Sequence, residues 1–323
     1  MNRPIGSASS PVVTAIIVNW NHTPDTLCCL DALRRSNYPA LNTVVIDNGS
    51  AEASRTALRQ YLPADTTLIE LPTNLGFTGG YNRGLCHAIA QGADFALLVN
   101  DDAVVEPSTV RCLVRSAQIH PESALFGPIV YTLEQPDVVL SAGGVFGPDG
   151  TALHRGLGEV DHGQFGMDND DHDQFGADGI VDFLSGVMLL VRRTAIEAIG
   201  LLDEDFFAYW EDVEWGLRAR RRGFTSRIVP QARVWHPDTR GRDQASPAVI
   251  YYLARNQLLL VKKLGLDRRV ASRLVLRHIR TLTSWTLRSR WRHMRYARNA
   301  LARGLWDAFR GRGGEYFEYE TGP

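Results

Sequence analysis

The chain is poor in cysteine, and the four it has, Cys28, Cys29, Cys86 and Cys112 among 323 residues, show no CxxC spacing. That argues against a disulfide-stapled secreted scaffold and favours a reducing compartment. No run of 18 apolar residues offers a bilayer span, and the first residues, MNRPIGSASSP, lack the apolar core of a secretion signal. The expectation is a cytoplasmic protein, soluble or peripheral at the inner face of a membrane. Residues 12–30 contain no Lys or Arg, so the basic phosphate-binding loop that a nucleotidyltransferase would place near its N-terminus is missing. Net charge is also nearly absent, at −1. The balance hides an asymmetry: residues 246–323 carry 16 Lys/Arg against 5 Asp/Glu, and residues 1–245 carry 19 against 31. An acidic body suits bound cations, and a basic tail suits anionic lipid, a phosphate-bearing acceptor or a second copy of the chain. No nucleic-acid partner is expected.

What is present is an ordinary globular composition, 44% hydrophobic and 22% charged. Short apolar runs at Val12–Val18, Thr43–Ile46, Leu68–Leu71 and Phe95–Val99 each end in a polar cluster and lead to a helical pattern. Such alternation predicts an α/β fold with a Rossmann-like, mostly parallel central sheet and helices on both faces. The spacing predicts helices at 24–36, 50–61 and 81–91, the last after a glycine-rich turn, NLGFTGGYNRG. Ligands of such sheets bind outside the carboxyl ends of the strands, where Asn19–Asn21, Asp47–Ser50 and Asn100–Asp102 all fall. Further on come DHGQFG and DHDQFG, ten residues apart in an acidic stretch expected to be an exposed loop, then an acidic helix from Glu211. The remainder is read as helical. Three segments result: a flexible N-terminus at 1–10, an α/β domain at 11–245 and a basic helical extension at 246–323.

Adjacent carboxylates at Asp101 and Asp102 repel, and a divalent cation shared with a substrate diphosphate relieves them; by themselves they could equally turn the chain. Glu211 and Asp212 read alone suit the first turn of a helix, facing its dipole. The glycines of 74–84 allow close approach of a ligand or a tight turn.

IIVNWN, VVIDNGS, NLGFTGGYNRG, LLVNDDAVV, FLSGVMLLVRR and FFAYWEDVEWGLRARRRGF occur in an order and spacing that resemble the inverting family 2 glycosyltransferases, particularly rhamnosyltransferase-like members, over about residues 11–240. The resemblance implies the GT-A fold and transfer of a sugar from a dTDP- or UDP-sugar to a hydroxyl of a cell-surface glycan or lipid-linked saccharide, with rhamnose the leading candidate. Carried over by position, Asn19, Asp47 and Asp101 bind the nucleotide sugar; beside them Gly76, Gly79 and Gly80 leave room for a ligand to approach, and Asn74 and Asn82 can orient that loop. Asp102 and His236 would hold Mg²⁺ or Mn²⁺, Asp212 would be the general base with Glu211 beside it, and Trp210 and Trp235 would meet the acceptor. NDD replaces a fuller DxD, which leaves fewer carboxylates for the metal. A sugar-nucleotide-binding module without catalysis and a nucleotidyltransferase are the competing readings. A glycosidase would leave the strand-end clusters unexplained.

Overall fold

The structure, a computed structural model, describes residues 10–165, 179–238 and 246–316. Most of the expected N-terminal tail and of the DHGQFG/DHDQFG duplication lies outside these residues.

β1 (Val13–Asn19) is followed by α1 (Thr23–Arg34), β2 (Leu41–Asp47), α2 (Glu52–Tyr61), β3 (Thr67–Glu70), α3 (Gly76–Ala90) and β4 (Phe95–Val99). These strands align parallel in the order β3-β2-β1-β4. Their β-branched runs serve two cores, because successive side chains leave opposite faces. Ile16, Val44, Ile46 and Leu98 enter one core, and Val13, Ala15, Ile17, Val45, Leu97 and Val99 the other.

The chain continues through β5 (Val104–Val105), α4 (Thr109–Ile119), β6 (Ser123–Thr132), β7 (Val139–Ser141), a hairpin of β8 (Gly144–Phe146) and β9 (Ala152–His154), β10 (Ile180–Val181) and β11 (Met188–Arg192). β11 lies between β4 and β6, antiparallel to both. After α5 (Arg193–Ile199), a 3₁₀ turn at Glu204–Phe206 and α6 (Glu211–Arg221), β12 (Thr225–His236) runs parallel to β6. Three further helices complete the described chain: α7 (Pro247–Lys263), α8 (Arg268–Leu287) and α9 (Arg295–Arg310). None of the described helices is long and apolar enough to cross a membrane.

One element departs from expectation. α3 begins at Gly76, so most of the glycine-rich segment is helix rather than turn. Glycine is a poor helix former, but a Cβ on Gly84 would lie 2.2 Å from Ile16 Cγ2, and one on Gly80 2.7 Å from Val18 Cγ1. The glycines let α3 close on β1, and that packing outweighs the intrinsic preference.

Candidate functional site

Two adjoining cavities open at the carboxyl ends of the parallel strands, sharing Phe77, Asn100 and Ala208 as walls. The smaller, about 280 Å³, is an aromatic groove lined by Trp20, Phe77, Tyr81 and Phe207 together with His22, Asn48, Asn74, Gly76 and Asp101. The larger, about 490 Å³, holds Asp102 and His236 and also Trp210, Glu211 and Asp212.

Several residues expected in the nucleotide site stand behind the groove rather than in it. Asp47 is fully buried; it accepts from Arg55 Nε at 3.1 Å, Asn19 Nδ2 at 3.1 Å and the Ser50 backbone N–H at 3.3 Å. Asn19, equally buried, also donates to Ser50 Oγ at 3.0 Å and accepts from Thr26 Oγ1 at 3.0 Å. Burying a carboxylate demands such partners, and their effect is to tie the β1 and β2 loops together. The residue of that loop facing the groove is Asn48, which donates to Asn74 Oδ1 and the Gly76 carbonyl, each at 2.9 Å. Asn74 and Gly76 do line the groove. Gly76 has φ +73°, and a Cβ there would come within 2.6 Å of the Phe207 carbonyl oxygen, so the close approach at this position is that of the Phe207 segment. Gly79 and Gly80 serve packing instead, against Leu75 and Val18. Asn82 is also structural, donating to the Leu202 carbonyl and Glu204 Oε1, both at 2.9 Å.

The two aspartates after β4 diverge. Asp101 turns into the groove, 3.8 Å from His22 Nδ1, and burial followed by the neighbouring Asp102 charge pushes its pKa up to about 7. Asp102 turns into the larger cavity, its Oδ1 3.1 Å from His236 Nε2, with Asn100 Nδ2 3.3 Å from the same nitrogen. The Asp102 contact is a hydrogen bond only while Nε2 carries a proton; otherwise a buried carboxylate oxygen is left without a donor. Burial opposes charge on His236, but Asp102 outweighs it and raises the pKa. A divalent cation fits this pair, because it satisfies the orphaned oxygen and the imidazole lone pair together. Among the described residues no cluster of three or more such ligands exists. Substrate oxygens would have to complete the shell, as is usual for Mg²⁺ and Mn²⁺.

At the far end of the larger cavity the backbone is left-handed at three non-glycine residues, Phe207 (φ +61°), Tyr209 (+68°) and Trp210 (+74°). α6 starts immediately afterwards. Asp212 accepts from the Val213 N–H at 2.8 Å and the Gly186 N–H at 3.2 Å, one on each oxygen. Burial raises its pKa against an opposing pull from His154. Burial, and then the Asp212 charge, raise Glu211 as well. Glu211 Oε2 and Trp210 Nε1 are buried without hydrogen-bond partners, and both residues face the cavity. Trp235 does not join them: its Nε1 donates to the Pro136 carbonyl at 3.0 Å and its ring stacks on Tyr131.

His154, Tyr209, Leu253 and Phe183 also line the cavity and were missed from the sequence. His154 sits in a hairpin with no recognisable motif, and Leu253 in a helix that reads only as amphipathic. The groove's Asn48 was within reach, since it stands beside Asp47 in DNGS.

A model of the family described as glycosyltransferase-like family 2 matches residues 10–249. The N-acetylglucosaminyl-diphospho-decaprenol L-rhamnosyltransferase of Mycobacterium tuberculosis (strain CDC 1551 / Oshkosh) is 27% identical over 251 residues, covering 73% of this chain and 80% of that protein. Galactofuranosyltransferase GlfT1 of Mycolicibacterium smegmatis is 26% identical over 237 residues, covering 73% and 74%. Among solved structures, the mannosyltransferase PcManGT from Pyrobaculum calidifontis, in complex with GDP-Man and Mn²⁺, superposes with a TM-score of 0.56 at 14% identity, covering 93% of this chain and 87% of that one. That likeness supports the GT-A fold. With the strand-end cavities and a family match over most of its length, the chain belongs to glycosyltransferase family 2 and is a glycosyltransferase.

Proposed function

We propose that the protein transfers a deoxysugar, rhamnose being the leading candidate, from a nucleoside diphosphate to a hydroxyl of a lipid-linked saccharide, with inversion. The carrying observation is that Asp102–His236 and Glu211–Asp212 face one cavity beside an aromatic groove. In this reading the base lies among Trp20, Phe77 and Phe207, near Asp101. The diphosphate lies toward Asp102 and His236, which would hold Mg²⁺ or Mn²⁺; the bound cation would stabilise negative charge on the departing diphosphate. Asn19 and Asp47 act indirectly, by fixing the loops that shape the groove.

Asp212 serves as general base. Its two backbone N–H donors fix the carboxylate, and burial makes it a stronger base than a solvated aspartate. It takes the acceptor hydroxyl proton as that oxygen attacks the anomeric carbon and the bond to the diphosphate breaks. Glu211, protonated beside it, donates to the sugar, and Trp210 offers its indole N–H and ring face.

The relative named as a rhamnosyltransferase carries a polyprenyl-linked acceptor in its name, which supports a lipid-linked acceptor here. Membrane contact would follow from the surface of α8 and α9, where Leu276, Ile279, Trp306 and Phe309 are exposed among arginines. Residues 268–310 contain twelve Arg and one acidic residue, Asp307. That pairing of exposed apolar side chains with cationic charge favours an anionic interface.

Calorimetric titration with dTDP and UDP, each with and without Mn²⁺, tests the donor site. Metal-dependent binding of one nucleotide, abolished in Asp102→Ala, is expected. Equal binding by the variant would remove Asp102 from the metal site.

A further inference from the structure

The segment carrying Trp210 into the cavity is held from outside the region that the family match covers. That match ends at residue 249, and the holding residues come from α7, further along the chain. Arg255 and Asn256 are both fully buried, although long charged side chains are seldom enclosed without a purpose. Arg255 Nη2 donates to the carbonyls of Asp205 and Phe206, each at 2.9 Å, and its Nε donates to Asn256 Oδ1 at 2.8 Å. Asn256 Nδ2 faces three carbonyls, Phe206 at 2.9 Å and Ala208 and Tyr209 at 2.7 Å. The remaining carbonyl of this run, Phe207, accepts from the Thr78 N–H at 3.1 Å.

Every carbonyl from 205 to 209 therefore has a donor from elsewhere in the chain. A left-handed backbone at three non-glycine positions survives only where its surroundings over-determine it, and these donors do so. The next residue on α7 extends the grip: Gln257 Nε2 donates to the Gly150 carbonyl at 2.8 Å, in the turn of the hairpin that brings His154 to the cavity.

We propose that Arg255 and Asn256 are positioning residues for glycosyl transfer, holding the Phe207–Trp210 backbone in the conformation that presents Trp210, Glu211 and Asp212 to the acceptor. The inference rests on the reading that the acceptor binds at the Asp212 end of the cavity. It gives α7, most of which lies beyond the family region, a task in the reaction itself.

The test uses the full chain labelled with 5-fluorotryptophan, the Trp210 fluorine line being assigned by its loss in Trp210→Phe. In Asn256→Ala that line is expected to shift or broaden while the Trp215 line, from the body of α6, stays in place. The Thr78 bond to the carbonyl of the groove residue Phe207 is untouched in this variant, so affinity for the donor nucleotide should stay within about threefold, with kcat lower by about 100-fold, the scale of an ångström-sized misplacement. An unmoved Trp210 line, or a kcat within about threefold of the parent, overturns the proposal. So does concerted movement of all tryptophan lines with loss of nucleotide binding, which would mark a general folding role. Arg255→Lys, which keeps the charge but not the planar fork, is measured in the same way if Asn256→Ala does not fold; failure of both to fold also overturns it. The fluorine readout needs no turnover, so an Asp212 that proved not to be the base would leave the loop result standing on its own.

Discussion

Replacing Asp212 by asparagine separates the chemical role of that carboxylate from its structural one. The side chain accepts one backbone N–H on each oxygen, from Val213 at 2.8 Å and Gly186 at 3.2 Å. Asparagine keeps one acceptor, so the Val213 contact survives and the longer Gly186 contact is lost, a cost of about 1 kcal/mol. Removing a buried charge offsets part of that, and the fold should be retained. The chemical loss is larger: without a group to take the acceptor proton, kcat should fall by about 100- to 10,000-fold, equivalent to about 3–5.5 kcal/mol of barrier. Donor KM should change little. The parent's acid limb should lie above the ordinary carboxylate range, because burial raises the Asp212 pKa and only the deprotonated form accepts a proton. That limb should vanish in the variant. Glu211→Gln supplies the contrast: Glu211 is held protonated by burial and by Asp212, so an amide imitates its working form and should cost about tenfold or less. Initial rates against pH, using a nucleotide-release assay, would refute the assignment if Asp212→Asn stayed within about tenfold of the parent or if Glu211→Gln were the more damaging change.

Arg55→Ala should destabilise the protein by about 3–5 kcal/mol, since it leaves the fully buried Asp47 without its cation. Adding Asp47→Asn should recover part of that in urea denaturation, and a single-variant cost below about 1 kcal/mol would show that the pair does not hold the loops. For the arginine-rich helices, cosedimentation is expected with anionic but not neutral vesicles. It should weaken with added salt and with Trp306→Ser/Phe309→Ser, and equal binding to neutral vesicles would rule out the electrostatic account.

The strand-end clusters were legible because β-branched runs and the polar residues closing them are local features. The acidic helix beginning at Glu211 was legible for the same reason, with Glu211, Asp212 and Glu214 in its first turn and Arg218, Arg220 and Arg221 in its last. Gly76–Gly80 read as a turn because glycine disfavours helix when considered alone. What overrode that preference was the close fit of α3 on β1, a contact between residues more than sixty positions apart. Trp235 illustrates the converse limit. An aromatic beside His236 suggests a sugar platform, but alternation along β12 sends its ring onto Tyr131 while His236 reaches Asp102.

Residue type and order were enough to determine the alternating α/β layout, the acidic pairs closing β4 and opening α6, and the concentration of arginine after residue 246. These depend on short-range propensity and on counting charge. Only the tertiary structure decided which of two adjacent acids faces which cavity, that Asp47 is enclosed while Asn48 is presented, and that Trp235 packs on Tyr131. It also brought Arg255 and Asn256 onto the carbonyls of residues 205–209. Such pairings depend on strand order and on how helices pack over the sheet, which no stretch of neighbouring residues encodes by itself.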